Sequence, residues 1–364
     1  GSVEATASVG GQLLPPIMGA AAFVMAETLG VQYGVIIRAA VIPALLYYGG
    51  ILVQVQMRAT KEHLNGLPKE QMPKPGKVMR ERGHLLIPIA FLLYMLIWSG
   101  KTVIFSAFWT IVVTILVAEL RPISRMSFKD ICDAFVAGAK STVSVAIACA
   151  CVGIIVGVCG MTGFALNVAH AIIRIGQHSV LLTLVFTMIT CMILGMGLPT
   201  AAAYLICAAV IVPALTGLGV PALTGHLFIF YFACLSAITP PVALAAFTAA
   251  SLGKTKPMGV ALTAVRLGIV AFIVPFMFVY APSLLWQGSL PEILGTLATS
   301  LCGVFFLGSA LQGAFRDRVL NMGQRGLFLL GSLALIQPGL VTDLIGVGLV
   351  ACALLWQWLG SRRG

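Results

Sequence analysis

The polar residues best suited to bind a ligand lie in a proline-broken centre within an uncharged apolar stretch. Residues 225–253 contain no charged side chain, and two apolar arms flank the segment Ser236-Ala237-Ile238-Thr239-Pro240-Pro241. Prolines 240 and 241 cannot continue a helix, so backbone carbonyls are left free beside the two hydroxyls. Carbonyl and hydroxyl oxygens are ligands for hard cations such as Na⁺. A broken segment of this kind is a pointer to a binding site when a similar one occurs in the other half of the chain.

A second polar break interrupts the apolar sequence upstream of this segment. The residues Gly195-Met196-Gly197-Leu198-Pro199-Thr200 separate an apolar span at 179–194 from a run, Ala201–Leu215, that reads as renewed helix. Unwound carbonyls and the Thr200 hydroxyl would coordinate Na⁺, and the new helix N-terminus favours an anionic group. The alternative is a proline kink that binds nothing. Gly197 and Thr200 are the candidate ligands here.

The proline pair occurs a second time, near the start of the chain. Pro15-Pro16 follows Gly10-Gly11-Gln12, and like Pro240-Pro241 it precedes an alanine-rich run that ends in phenylalanine, at Phe23 and Phe247. Farther on, both copies continue with an arginine, then an apolar residue followed by proline, and then a tyrosine; these residues are Arg38, Pro43 and Tyr48 in the first copy and Arg266, Pro275 and Tyr280 in the second. The two proline motifs with these followers predict an internal repeat.

The arms of these motifs are too short to cross a bilayer, which needs about 20 helical residues. Each motif therefore predicts a re-entrant hairpin that enters the membrane, turns and leaves on the same side, and broken backbone at that depth is tolerated only inside protein or beside a cavity. Seven basic residues in 58–82 predict a cytoplasmic loop. The span of the first copy ends at this loop. The span of the second copy begins at Lys254 and Lys256, which predict a second cytoplasmic loop. The two spans therefore run in opposite directions, which indicates an inverted-topology repeat.

The composition is that of a membrane protein. The chain has 364 residues, of which 60% are hydrophobic and only 9% charged, against about 25% charged in soluble domains. The net charge of +11 comes from basic residues in short loops, where they set orientation, so it does not indicate nucleic-acid binding. The nine cysteines lie mostly in apolar runs without metal-ligand spacing. We therefore expect an all-α polytopic membrane protein with no bound cofactor.

The apolar pattern divides the chain into six parts. Residues 1–30 form part of the first hairpin, in which Glu27 is either functional or at the water interface. Residues 31–120 are spans with the loop 58–82, residues 121–140 an amphipathic connecting helix, and residues 141–253 a second bundle with hairpin 225–253. Residues 258–283 form one span, and 284–364 are extra C-terminal segments. Because residue 1 is Gly and the first hairpin lacks most of its incoming arm, we expect an N-terminally truncated chain.

Three motifs together resemble the large membrane subunit of tripartite ATP-independent periplasmic (TRAP) transporters. They are GGQLLPPIMGAAAFVMAE at 10–27, GMGLPTAAAYLI at 195–206 and SAITPPVALAAF at 236–247. The first motif and the C-terminal segments are most similar to fused permeases that work with TAXI-type receptors. The resemblance implies two inverted repeats with re-entrant hairpins in an elevator-type ion transporter.

The resemblance also implies a function and a set of site residues. It implies Na⁺-coupled uptake of a small organic anion, a carboxylate, across the bacterial inner membrane. A periplasmic solute-binding protein would deliver the substrate, and Na⁺ would be the coupling ion. The coordinating groups implied are Gly10, Gly11 and Gln12 at the first hairpin tip, Ser236 and Thr239 at the second, and Gly197 and Thr200 beside it. Pro15, Pro16, Pro240 and Pro241 would break the hairpins.

Three other functions stay open on the sequence. A membrane enzyme would need paired acids, a Ser/His pair or a metal cluster, and the HExxH and GxSxG motifs are absent. A non-transporting subunit or a channel is the second alternative. The third is a related dicarboxylate carrier, coupled to Na⁺ or H⁺, that binds its substrate without a receptor. We expect a transporter and not an enzyme.

Overall fold

The structure, a computed structural model, describes residues 1–62, 64, 68, 72, 74–176, 179–315 and 318–360. The described part is almost entirely helical, apart from one two-stranded antiparallel hairpin, β1 (Ala314–Phe315) and β2 (Arg318–Val319). Six helical segments in it are long and apolar enough to cross a membrane. These findings confirm the predicted all-α polytopic membrane protein.

Both proline motifs form the predicted helix–turn–helix hairpins. The first consists of α1 (Ser2–Gly11) and α2 (Ala20–Leu29), and the second of α11 (Ala222–Leu235) and α12 (Leu244–Leu252). At 9 to 14 residues, all four arms are shorter than the roughly 20 residues that span a bilayer. Each hairpin is followed by a longer apolar segment, α3 (Tyr33–Lys61) after the first, and α13 (Pro257–Leu267) with α14 (Ile269–Tyr280) after the second.

In the part of the chain that the structure describes, seven α-helices lie between the two hairpin units. In chain order they are α4 (Pro75–Arg82), α5 (Leu86–Ile97), α6 (Val103–Ala118), α7 (Phe128–Met161), α8 (Phe164–Gly176), α9 (Val180–Gly195) and α10 (Thr200–Gly217). The predicted break at 195–200 is present, and a further break lies between α7 and α8. Gly197 and Gly163, in these two breaks, have positive φ angles of 77° and 67°. Glycine adopts this conformation without a Cβ penalty.

Three parts of the chain differ from the sequence prediction. The predicted loop 58–82 begins within the last turn of α3, which extends to Lys61, and it contains the helix α4 at Pro75–Arg82. The connecting helix expected at 121–140 is not a separate element, because α7 begins at Phe128 after a Ser127–Asp130 capping box and runs without a break to Met161. Its polar first turns and its apolar continuation form one helix. Conversely, the single span expected at 258–283 is interrupted at Gly268. A Cβ at Gly268 would lie 3.2 Å from the Ala264 carbonyl oxygen and 3.3 Å from Ile238 Cδ1, so glycine lets Ile238 approach this junction closely.

The main core surrounds the second hairpin. All residues of α11 from Thr224 to Leu235 are buried, as expected for a helix that is apolar on every side. Helices α9, α10 and α14 pack around it. On the outside, α6 and α7 expose large apolar side chains such as Phe108, Ile147 and Ile154, which is the arrangement expected of a surface that faces lipid.

The described residues of the C-terminal segments form three α-helices. They are α15 (Leu290–Gln312), α16 (Met322–Ile336) and α17 (Leu340–Gly360). Helix α15 packs against α3 and α16, and α16 packs against α17. Close approach at Gly303, where a Cβ would lie 2.9 Å from Ile336 Cγ1, lets α15 and α16 pack tightly. The C-terminal unit is therefore attached to the rest of the chain mainly through α3.

Candidate functional site

The second proline motif forms a compact turn between α11 and α12. Backbone amides of Ala237, Ile238 and Thr239 donate to the carbonyls three residues earlier, and the amide of Ala243 donates to the Thr239 carbonyl at 3.2 Å. Ala243 has a φ of 35°, and the peptide bond between Pro240 and Pro241 is cis. The turn therefore satisfies its own amides, while the Thr239 hydroxyl donates to the Leu235 carbonyl at 2.8 Å.

Ser236 joins this turn to the break between α9 and α10. Its hydroxyl lies 3.1 Å from the Gly195 carbonyl oxygen and 2.8 Å from that of Ala233, and its side chain is buried. A Cβ at Gly195 would lie 2.9 Å from Ser236 Oγ, and one at Gly197 would lie 3.5 Å from Val242 Cγ1. The glycines therefore allow the broken helix to approach the turn closely. The contact gathers one hydroxyl and two carbonyl oxygens, the ligand type that hard cations prefer.

The first proline motif forms a turn that shares three backbone hydrogen bonds with the second. When Pro15-Pro16 is aligned with Pro240-Pro241, three hydrogen bonds of the first turn have an equivalent in the second. In the first turn the amides of Gln12, Leu13 and Met18 donate to the carbonyls of Val9, Gly10 and Leu14, respectively. In the second turn the amides of Ala237, Ile238 and Ala243 donate to the carbonyls of Cys234, Leu235 and Thr239. Met18, the counterpart of Ala243, also has a positive φ, 54°. A left-handed conformation is uncommon for residues other than glycine. The two turns therefore have the same local backbone conformation.

Three tyrosines of α3 hold the first hairpin in place. Tyr33 donates to the carbonyls of Pro16 and Ile17 at 3.1 and 2.9 Å. Tyr47 donates to the Thr6 carbonyl at 2.6 Å, and Tyr48 to the Ala7 carbonyl at 2.9 Å. The ring of Tyr47 lies so close to Gly10 that a Cβ there would be 2.1 Å from its Cε1 atom. Helix α3 therefore fixes both the turn and its incoming helix.

The two hairpins meet at the first turn and at Gly268. Gln12 Oε1 lies 3.9 Å from the Cys234 sulfur, which belongs to the second hairpin. A Cβ at Gly268 would lie 3.3 Å from Ile238 Cδ1 of the second hairpin and 3.4 Å from Thr6 Cγ2 of the first. The Thr6 hydroxyl also lies 3.2 Å from the Ala264 carbonyl of α13. Thus α13 and its junction with α14 contact both hairpins.

The second hairpin is held by a buried polar pair and by aromatic packing. The Tyr204 hydroxyl of α10 lies 2.7 Å from His226 Nδ1 of α11, and both residues are buried. On the opposite element, α14, the rings of Phe276 and Phe278 pack on Phe228 and Tyr231 at centroid distances of 5.4 and 5.8 Å. No sequence motif in this chain pairs His226 with Tyr204. The buried pair depends on contact between two helices and has no local sequence pattern.

The structure brings together some of the predicted site residues. The turn that contains Ser236 and Thr239 contacts the break between α9 and α10 at Gly195 and Gly197. Gln12 of the first hairpin lies 3.9 Å from Cys234 of the second. The Thr200 hydroxyl, at the first residue of α10, has no hydrogen bond among the described residues. Gly10 and Gly11 lie on the side of α1 that faces Tyr47 and Tyr48. Glu27 is exposed at the end of α2.

The tyrosines of the proposed repeat do not have matching contacts. Tyr48 donates to the first hairpin, whereas Tyr280 is 45% exposed beside Phe276 and Met277. Among the described residues, no group of three His, Cys, Asp or Glu side chains lies close enough to hold a metal ion. The oxygen-rich contact at Ser236 is therefore built from neutral groups.

The comparison with protein families identifies the chain. The family described as "Tripartite ATP-independent periplasmic transporter, DctM component" matches residues 1–293. The chain belongs to this family. The match covers both hairpins and the break between α9 and α10, and it ends within the first turn of α15. Comparison with curated proteins gives no match.

Membership of the DctM family defines the general role of the chain. DctM components are the large permease subunits of TRAP-type secondary transporters, and they are not an enzyme class. They work with a periplasmic binding protein and a small subunit. Together with the apolar helices, the family assignment makes this DctM chain a multi-pass membrane protein.

Proposed function

We propose that this DctM chain moves a small organic anion, a carboxylate, across the bacterial inner membrane, driven by a Na⁺ gradient. The observation that carries the proposal is the contact of Ser236 Oγ with the Gly195 carbonyl at 3.1 Å. It joins a polar turn to a broken helix, and discontinuous helices of this kind form ion and substrate sites in secondary transporters.

The ion ligands in this proposal are neutral oxygens. Na⁺ binds between the second turn and the break, through Ser236, Thr239, Thr200 and backbone carbonyls near Gly197. A second group of ligands belongs to the first turn, at Gly10, Gly11 and Gln12. The 79 residues from Ile175 to Gly253 lack charged side chains. A monovalent cation compensated by dipoles therefore suits this region better than a divalent one.

The substrate in this proposal lies between the two turns. The N-terminus of α10 at Thr200 supplies unpaired amides and the positive end of the helix dipole, which favour a carboxylate. The matching hydrogen bonds of the two turns support an inverted repeat, in which the hairpins enter from opposite sides. An elevator movement would then carry both hairpins past the long helix α3, and a TAXI-type periplasmic receptor would deliver the substrate.

The proposal is tested by uptake into proteoliposomes. The full-length gene product is reconstituted with its co-encoded small subunit, if separate, and with the co-encoded receptor, and candidate carboxylates are supplied with and without an inward Na⁺ gradient. We expect uptake only when both the receptor and the gradient are present. A gradient collapsed with a Na⁺ ionophore is the matched control.

Each other result selects a different function. Uptake that needs Na⁺ but no receptor would identify a directly binding carrier. Uptake that follows a proton gradient instead would contradict the Na⁺ ligands proposed at Ser236, Thr239 and Thr200. Conductance without coupling to either gradient would indicate a channel, and no flux with any partner combination would indicate a non-transporting subunit.

A further inference from the structure

A polar cavity lies between the ends of four helices, away from the hairpin turns. It has a volume of about 500 Å³ and is formed by the end of α3, by α13, by the end of α15 and by the start of α16. Helices α16 and most of α15 lie beyond the residues that the DctM family matches. The cavity is therefore built partly by the C-terminal unit, to which the family assigns no role.

The side chains around the cavity carry a strong positive charge. Arg58, Lys61, Arg266 and Arg325 line it together with a single acid, Glu62. Glu62 is paired with Arg58, with 3.0 Å between Oε1 and Nε. Four cations and one carboxylate leave a formal charge of three positive units. A concave surface with charge of one sign concentrates ligands of the opposite sign.

Several of these cationic groups keep free donors. Arg266 is exposed and has no hydrogen bond or ion pair within the described ranges. Lys61 uses one donor on the Gln312 carbonyl at 3.2 Å. Arg325 donates through Nε and Nη2 to the carbonyls of Ala310 and Leu311 at the end of α15, which leaves Nη1. Guanidinium and ammonium donors arranged in this way suit a phosphate group.

The cavity also has apolar walls. Leu267, Ile269 and Leu311 line it beside the charged groups. A free inorganic anion would gain nothing from these side chains, whereas an amphiphile would bury its hydrocarbon part against them. Arg58 and Lys61 begin the basic loop 58–82, which the charge pattern places on the cytoplasmic side. Anionic phospholipids are concentrated in that leaflet.

We propose that this cavity binds the phosphate headgroup of an anionic membrane phospholipid. Arg266 and Lys61 bind the phosphate oxygens, and the acyl chains leave along Ile269 and Leu311. The bound lipid connects α3, α13 and the C-terminal unit. Because α13 packs against α1 and α12, the lipid lies next to the elements that carry both hairpins.

The proposal is tested by lipid binding to the purified full chain, with no need for transport activity. The protein in neutral detergent is titrated with dioleoyl phosphatidylglycerol or dioleoyl phosphatidylcholine, and retained lipid is counted by native mass spectrometry. We expect preferential retention of phosphatidylglycerol. Arg266→Gln should weaken this binding about fivefold, the value of one basic residue near an anionic lipid. Lys61→Gln should act similarly and provides a second, independent variant.

Lys254→Gln is the matched control. Lys254 is an exposed basic residue before α13 that does not line the cavity, so its variant should bind phosphatidylglycerol like the wild type. Displacement of the lipid by millimolar inorganic phosphate would overturn the lipid assignment in favour of a soluble phosphate. Equal lipid retention by the wild type, both cavity variants and the control would overturn the site itself.

Discussion

The two hairpins have the same turn but are held in different ways. In the first, the turn and α1 receive hydrogen bonds from tyrosines of a single neighbour, α3, and only four residues of α1 are buried. In the second, all residues of α11 from Thr224 onward are buried among several helices. The first turn is thus held mainly by tyrosine hydroxyls of α3, whereas the incoming helix of the second hairpin is held mainly by burial among several helices.

The two hairpins therefore have similar turns, although different contacts hold them in place. The proline pair and the residue with positive φ define the turn in both places, while the bonds that hold each hairpin differ: α3 tyrosines bond to the first, and α10 and α14 side chains hold the second. Substitutions that leave the turn unchanged but remove its neighbours will therefore affect the two hairpins through different interactions. Matched pairs of variants, one pair per hairpin, test this conclusion.

The largest effect is expected from Gly10→Ala in the first hairpin. The new methyl group would lie 2.1 Å from Tyr47 Cε1, so the ring must move and the Tyr47 bond to Thr6 is strained. We expect a loss of about 3 kcal/mol in the free energy of unfolding, at the upper end for an overpacked core. Thermal unfolding of the detergent-purified protein measures it.

Gly11→Ala is the control for this prediction. A Cβ at Gly11 would have its nearest neighbour, the Tyr48 hydroxyl, at 4.0 Å. Alanine is a better helix former than glycine by up to about 1 kcal/mol, so this variant should be as stable as the wild type or more so. Equal stability of the two variants would show that α1 does not pack against Tyr47 in this way.

An intermediate effect is expected from Tyr204→Phe in the second hairpin. The substitution leaves the buried His226 Nδ1 without its partner at 2.7 Å, and an unsatisfied buried polar group costs about 1 to 3 kcal/mol. Tyr231→Phe is the matched control, because the Tyr231 hydroxyl is buried without a hydrogen-bond partner among the described residues. Its removal should leave the unfolding midpoint unchanged or raise it. The reverse order of stabilities would contradict the Tyr204–His226 pair.

The smallest effect is expected at the oxygen-rich contact, and it concerns ion binding. The Ser236 hydroxyl bridges to the broken helix, whereas the Thr239 hydroxyl bonds within its own hairpin. Ser236→Ala should raise the Na⁺ concentration for half-maximal uptake about fivefold, corresponding to one hydrogen bond of about 1 kcal/mol. Thr239→Ala should raise it less. Unchanged Na⁺ dependence in both variants would refute the site.

Local sequence signals were sufficient for the helix interruptions. Proline pairs and glycines before a proline act through the backbone of their own segment, so the turns at Pro15 and Pro240 and the break at 195–200 were predictable. The three C-terminal helices followed from the length of their apolar runs. The family resemblance also came from these local motifs, and the DctM match at 1–293 confirms it.

Contacts between distant elements were not predictable in this way. The bonds of Tyr33 and Tyr47 to the first hairpin and the Tyr204–His226 pair depend on helix packing, which leaves no periodic pattern in one sequence. The close approach of Ile238 and Thr6 to Gly268 likewise depends on how both hairpins pack against this junction. The continuous α7 was missed because its polar start resembles a surface helix while its continuation resembles a membrane span.

The burial of α11 on every side has a consequence for biosynthesis. Its neighbours α9 and α10 are made before it, but α14, which supplies Phe276 and Phe278, leaves the ribosome later. During translation α11 is also too short to rest across the bilayer as an independent span. The second hairpin can therefore reach its final place only after α14 has been inserted, which makes the completion of this half of the protein a post-insertion step.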